Sequence, residues 1–302
     1  MRRLFLKLVL AAAPFGLYAL AVIAVDPFDY FRPSPVEERL LKASIAGKLD
    51  PPLFKLLAYR RSPRAHILLG DSRMYSLGEE LIAARIGAPV ANLAYGGGSL
   101  KEAIRTFWIA ADATELKSVT IGVNLDTYND SNSKDRVGPA EAMLHNPALY
   151  VSSRPVALAM GYMTRQALGG AAAEIGRPPM SPEEFWRYQL EVTAKLFYGG
   201  YRDPATYSAE LKRVAEECAR RGIKLRFVIF PEHDDLVACA TRSGLDVAAE
   251  RMRDGLKRIA PTIDFASRKD WTADRDLFVD PFHFAPPVAA EIVDRVWGEE
   301  PN

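Results

Sequence analysis

Apolar and polar positions divide the chain into three stretches. From Leu8 to Val25 every residue is uncharged and nearly all are apolar, with Arg2, Arg3 and Lys7 before the run and Asp26 after it. A helix of about this length crosses the ~30 Å hydrocarbon core of a bilayer. The basic residues ahead of it place the N-terminus in the cytoplasm. A cleaved signal peptide has a shorter apolar region and a small-x-small site. Ala19-Leu20-Ala21 suits such a site, but the run continues to Val25, which favours a retained signal anchor over residues 1–25. Pro14 and Gly16 are tolerated in membrane helices.

The second stretch, 26–63, is rich in proline and charge, with Pro27, Pro33, Pro35, Pro51 and Pro52. One helical pattern, from Val36 to about Ile45, interrupts it, and the whole reads as a juxtamembrane stalk.

From residue 64 onward short apolar runs alternate with helical periods. Strands are expected at His66 to Leu69, Val90 to Leu93, Val119 to Val123, Leu225 to Phe230 and, weakly, Thr262 to Phe265. Helices are expected near 77–86, 208–221 and 245–259 and after Pro286. Another helix follows the run Gly96-Gly97-Gly98: Ser99 and Glu102 stand at capping-box spacing, and Ile104, Phe107, Trp108 and Ala111 recur on one face. Apolar strands separated by helices predict a buried parallel sheet covered on both faces. In such sheets ligands bind beyond the carboxyl ends of the strands. A long helical insertion, 129–201, carries Tyr150, Tyr162, Phe185, Trp186, Tyr188, Phe197, Tyr198 and Tyr201. It reads either as a subdomain with its own small core or as a cap offering aromatic faces to a sugar ring.

Composition changes this picture little. A formal net charge of +1 gives no reason to expect a nucleic-acid partner. Two cysteines, Cys218 and Cys239, are open to a disulfide in an oxidising compartment or to two separate buried thiols.

Candidate chemistry sits in the loops. Gly70-Asp71-Ser72 ends the first strand, where a tight strand-to-helix turn presents a serine hydroxyl above the sheet; a plain turn with a capping serine is the bland alternative. Asp280-Pro281-Phe282-His283 precedes the last helix, and an imidazole three residues after a carboxylate has the base-and-orienter relation of nucleophilic catalysis. Arg73 beside the serine either binds an acidic substrate or points to solvent. Asp126 and Tyr128 cap a loop or line the cleft. His233 with Asp234 and Asp235 reads as a solvated loop in preference to a metal site.

Together these blocks resemble the SGNH (GDSL-type) hydrolase superfamily, over roughly Ala65 to the C-terminus with 129–201 unmatched. The resemblance implies a flavodoxin-like three-layer α/β/α sandwich with a parallel five-stranded sheet over 64–302. It implies Ser72 as nucleophile, His283 as base, Asp280 as its orienter, and no cofactor or metal. Asn92-Leu93-Ala94-Tyr95-Gly96-Gly97 matches the second block and assigns Gly97 to the oxyanion hole with the Ser72 N–H, Gly96 or Gly98 being alternatives. In the third block, Gly122-Val123-Asn124-Leu125-Asp126, the asparagine matches and implies Asn124 as the third donor. The aspartate is displaced by one residue, and Asn129 is a rival donor.

Membrane-anchored members of this kind resemble bacterial polysaccharide and cell-wall modification proteins, including relatives of the alginate O-acetyltransferases. That implies a single-pass protein of the inner membrane with its C-terminal domain in the periplasm or outside the cell. It also implies a glycan substrate or acceptor and a membrane partner that donates the acyl group. Esterase and O-acyltransferase remain equally open. A non-catalytic scaffold or carbohydrate-binding subunit is the alternative from a different class, and a lipid-directed esterase lacks a long apolar lid.

Overall fold

The apolar N-terminal run folds as one helix, Arg2–Val25, long and apolar enough to cross a membrane. The computed structural model describes residues 1–170 and 180–298. The chain divides into two compact units, Met1–Arg61 with Arg136–Pro178, and Ser62–Asp135 with Pro179–Asn302.

In the first unit the membrane-length helix ends at Asp26, whose backbone takes the left-handed conformation. Its carboxylate accepts from the N–H groups of Tyr30 (2.7 Å), Phe31 (2.7 Å) and Arg32 (3.0 Å) and from the Tyr150 hydroxyl (3.0 Å). Tyr150 stacks on Tyr30 and meets Phe28 and Phe31 edge-on. Two helices follow, Val36–Leu49 and Pro51–Arg61. No helix was expected at the second, which opens on Pro51 and Pro52 within the stretch read as a stalk. They occupy its first turn, where a missing N–H costs nothing and a fixed φ favours the helix. These helices pack on Val137–Leu144 and Arg154–Ala167. The expected stalk and much of the expected insertion are therefore one structural unit, and only 129–135 and the described residues from 180 onward of the insertion belong with the sheet. Residues 171–179 lie outside the described residues.

In the second unit five parallel strands form one sheet in the order β2-β1-β3-β4-β5, with β1 His66–Leu69, β2 Val90–Asn92, β3 Ser118–Gly122, β4 Lys224–Ile229 and β5 Thr262–Asp264. Ile67, Leu68, Leu69, Val119 and Ile121 are buried, because helices cover both faces and leave no solvated side to alternate toward. The chain runs from β1 outward to β2 and then back past β1 to β3. Right-handed crossovers therefore put Glu79–Ile86 on one face and Leu100–Ala113 on the other. Pro286–Trp297 packs beside the former and Ala205–Arg221 beside the latter. The expected capping box forms: Ser99 Oγ accepts from the Glu102 N–H while the Glu102 carboxylate accepts from the Ser99 N–H. A core of Leu68, Met74, Val228, Phe230, Phe284, Ile292 and Trp297 lies directly under the strand ends that carry the candidate residues.

Candidate active site

Gly70 closes β1 with φ +145°, a conformation that L side chains rarely adopt, and a Cβ there would lie 3.2 Å from the Gly122 carbonyl oxygen. The chain then turns into a short helix, Ser72–Tyr75, capped by Asp71, whose Oδ1 accepts from the Arg73 N–H. The turn leaves the Ser72 hydroxyl half-buried above the sheet.

Asp280 and His283 arrive on a different element from the loop expected. Phe278–Asp280 and His283–Phe284 form a small antiparallel hairpin in which Asp280 pairs directly with His283. Residues opposite each other in such a pair project to the same face, so the carboxylate and imidazole are neighbours by construction. His283 Nδ1 lies 2.7 Å from Asp280 Oδ2, and His283 Nε2 lies 2.7 Å from Ser72 Oγ. Asp280 Oδ1 accepts from the Phe282 N–H at 2.9 Å, and the side chain is buried, while the imidazole is about 30% exposed. Ser72, His283 and Asp280 thus form one continuous hydrogen-bonded array.

The residues expected as oxyanion donors separate. The glycine turn after β2 lies beside the serine: a Cβ on Gly98 would meet the Gly70 carbonyl oxygen at 3.0 Å and Asp71 Cα at 3.4 Å. The Gly98 N–H is spent on the Tyr95 carbonyl. Gly97, with φ +57°, is exposed, and its carbonyl accepts from Lys134 Nζ at 3.2 Å. Asn124 does not fit the donor role. Both hydrogens of its amide are used, toward the Phe230 carbonyl (2.9 Å) and Glu232 Oε1 (3.0 Å), and its Oδ1 accepts from the Phe230 N–H (3.1 Å). It ties the loop after β3 to the end of β4. The rival Asn129 is likewise committed, donating to the Phe197 carbonyl and accepting from Ser131 and the Arg202 N–H.

Arg73 neither points to solvent nor offers itself to a substrate. Its side chain is 1% exposed and carries three carboxylates. Nη2 donates to Asp71 (2.5 Å) and Asp126 (2.6 Å), Nη1 to Glu232 (2.5 Å), and Nε to Asp71 (3.0 Å). Burial opposes the arginine's charge, but Asp126, Asp71 and Glu232 outweigh it and raise its pKa. Burial pushes the Glu232 carboxyl up to about 7 against the pull of Arg73, and raises Asp126 for the same reason. The displaced aspartate of the third block therefore has its own partner: one residue further along, Asp126 reaches the guanidinium instead of the cleft. Glu232 was missed in the sequence. Its only signal was an acid just past β4, level with acids just past β1 and β3.

His233 is not in a solvated loop. It is buried, its Nδ1 accepts from the Asp235 N–H as a helix cap, and its ring packs edge-on against Trp186 and Phe278. Burial lowers its pKa. Among the described residues no group of metal-ligating side chains converges. Cys218 and Cys239 are both free thiols. Phe197, from the part of the insertion that belongs with the sheet, meets Phe282 edge-on next to His283.

No family model matches the chain, and no curated protein matches it. A solved structure provisionally described as a platelet activating factor from Streptococcus pneumonia aligns over 88% of this chain and 99% of its own, at 9% identity and a TM-score of 0.37. A likeness that loose carries no argument about function.

Proposed function

We propose that this chain is a membrane-anchored, extracytoplasmic serine enzyme of the SGNH type that moves acyl groups on carbohydrate. It does so by hydrolysing an ester or by passing the acyl group to a glycan hydroxyl. The observation that carries the reading is the unbroken run of two 2.7 Å contacts from Ser72 through His283 to Asp280. The strand order 2-1-3-4-5 and the site at the carboxyl ends of the strands support the flavodoxin-like SGNH arrangement. The N-terminal helix and the basic residues before it support a single-pass anchor with the sheet domain outside the cytoplasm.

In this mechanism Ser72 Oγ attacks the ester carbonyl carbon while His283 Nε2 takes its proton. Asp280 holds Nδ1–H and stabilises the imidazolium. The oxyanion is met by the Ser72 N–H and an N–H of the glycine turn around Gly97; each such donor contributes about 3 kcal/mol. The tetrahedral intermediate expels the alcohol, which receives the proton from His283, and leaves acyl-Ser72. Water or a sugar hydroxyl, deprotonated by the same imidazole, then attacks the acyl carbon and frees Ser72. No cofactor is needed. The acyl donor is a membrane partner or a soluble ester.

Incubating the full-length protein with a fluorophosphonate tests the reading. Covalent labelling at Ser72 is expected, absent in Ser72→Ala and at least 100-fold slower in His283→Ala. A folded wild-type protein that takes no label sinks the enzyme reading and favours a scaffold of the same fold. Acetyl esters offered with and without an oligosaccharide then separate transfer from hydrolysis.

A further inference from the structure

The buried ionic cluster around Arg73 joins the two halves of the array. Through the chain, Arg73 is fixed to Ser72. Through its guanidinium it is fixed to Glu232, in the loop just after β4. The residue after Glu232 donates its N–H to the Pro281 carbonyl at 3.0 Å, inside the hairpin that carries Asp280 and His283. The guanidinium carbon also sits 6.0 Å from the centre of the Phe282 ring in that hairpin. A path of short polar contacts thus leads from the nucleophile to its base without passing through the Ser72–His283 hydrogen bond.

We propose that Arg73 and Glu232 are positioning residues: together they set the distance between Ser72 and His283 by clamping the ends of β1 and β4 and the hairpin into one rigid frame. This rests on the reading of Ser72 as an activated nucleophile. A planar guanidinium that serves three carboxylates on three strand ends fixes direction as well as distance, which a lysine ammonium does not. The pairs are desolvated, so they are strong in place and costly to break.

The clamp also responds to pH. Glu232 faces Arg73, Asp71 and Asp126, the Asn124 amide, the buried Tyr198 hydroxyl, and Asp246, Glu250 and Arg253, which line the same cavity on the other side. One guanidinium does not balance three ionised carboxylates. Burial first, and the neighbouring Asp126 and Asp71 after it, hold the Glu232 proton until the pH nears 7 against the pull of Arg73, and the Arg73–Glu232 contact gains full charge above that point. There the contact is fully ionic and fixes position most strongly, while the buried excess of negative charge makes the fold as a whole less stable.

The test is the rate of fluorophosphonate labelling at Ser72 between pH 5.5 and 9 in the full-length wild type, Arg73→Lys and Glu232→Gln, with near-ultraviolet circular dichroism to follow folding. Arg73→Lys keeps the charge and loses the fork, and is expected to label at least tenfold more slowly at every pH. Glu232→Gln keeps the shape and mimics the protonated acid. It is expected to match wild type below about pH 6.5 and to fall several-fold behind it at pH 8.5. Arg73→Lys labelling at the wild-type rate, or a wild-type to Glu232→Gln ratio that does not change with pH, overturns the proposal while leaving Ser72 as nucleophile. An unlabelled wild type overturns the catalytic reading itself and this one with it. If Arg73→Lys fails to fold, the pH dependence of the Glu232→Gln ratio decides alone.

Discussion

At the scale of single residues, the site depends on where each polar group spends its hydrogen bonds. Asp280 has one oxygen on His283 and the other on the Phe282 N–H, so it both orients the ring and fixes the hairpin turn. Asp280→Asn keeps the size but exchanges an acceptor for a donor facing Nδ1, which favours the wrong tautomer. Labelling at Ser72 is expected to fall by about 10³-fold or more with little change in melting temperature. Asn124 behaves differently. Its amide holds the Phe230 main chain on both sides, so Asn124→Ala is expected to cost about 2–3 kcal/mol of stability in chemical denaturation. Glu232 gives a signed prediction. Burial raises its pKa in the folded state to about 7, above the ordinary carboxylate range, so between that range and pH 7 the native protein holds a proton that the unfolded chain has released. Stability contributed by that proton is present at low pH and is lost as pH climbs to about 7. Glu232→Gln removes the titration, and its unfolding free energy relative to wild type is expected to rise from pH 5 to pH 8 by an amount on the order of 2–3 kcal/mol, seen as a melting temperature that climbs relative to wild type. Thermal melts at the two pH values check this. Ser72, Asp280 and His283 were legible in the sequence because each follows or flanks an apolar run. The partners of Arg73 were not, because one ion cluster draws on residues from three loops, Glu232 lying 159 positions from Arg73, and has no spacing to read.

At the scale of elements, the strands were readable because burial on both faces writes continuous apolar runs, and the Leu100–Ala113 helix because its capping box and apolar spacing agree. The hairpin at Phe278–Phe284 was not, since three residues beside two carry too little pattern. Pro51 and Pro52 misled for a physical reason: proline breaks a helix interior but suits its first turn. A close approach between β3 and the end of β4 makes a further prediction. A Cβ on Gly122 would fall 2.5 Å from Phe230 Cε2, and Phe230 belongs to the core beneath the site. Gly122→Ala must therefore shift that ring and is expected to cost about 1–3 kcal/mol, seen as a lower denaturation midpoint at unchanged slope.

At the scale of the whole molecule, the parallel sheet was legible and the division of the chain was not. Helical periodicity says that 137–144 and 154–167 each bury a face, but not which partner they bury it against. The partners turn out to be helices from the segment read as a stalk. Aromatic residues of the insertion split accordingly: Tyr150 joins Phe28, Tyr30 and Phe31, whereas Trp186 joins the core under the sheet. The N-terminal helix, 6% buried over its most apolar window, is expected to keep the full-length protein in the membrane pellet after alkaline carbonate washing. A protein lacking residues 1–25 should appear in the supernatant. The interleaving of the two units also sets an order of assembly. The first unit is built from residues up to Arg61 and from Arg136 onward, with Ser62–Asp135 belonging elsewhere. During synthesis Asp26 thus waits, its carboxylate unclaimed by Tyr150, until the chain has grown past a long intervening segment that includes Ser72. The part next to the N-terminal helix closes late, after the segment that carries the Ser72 turn has already been made.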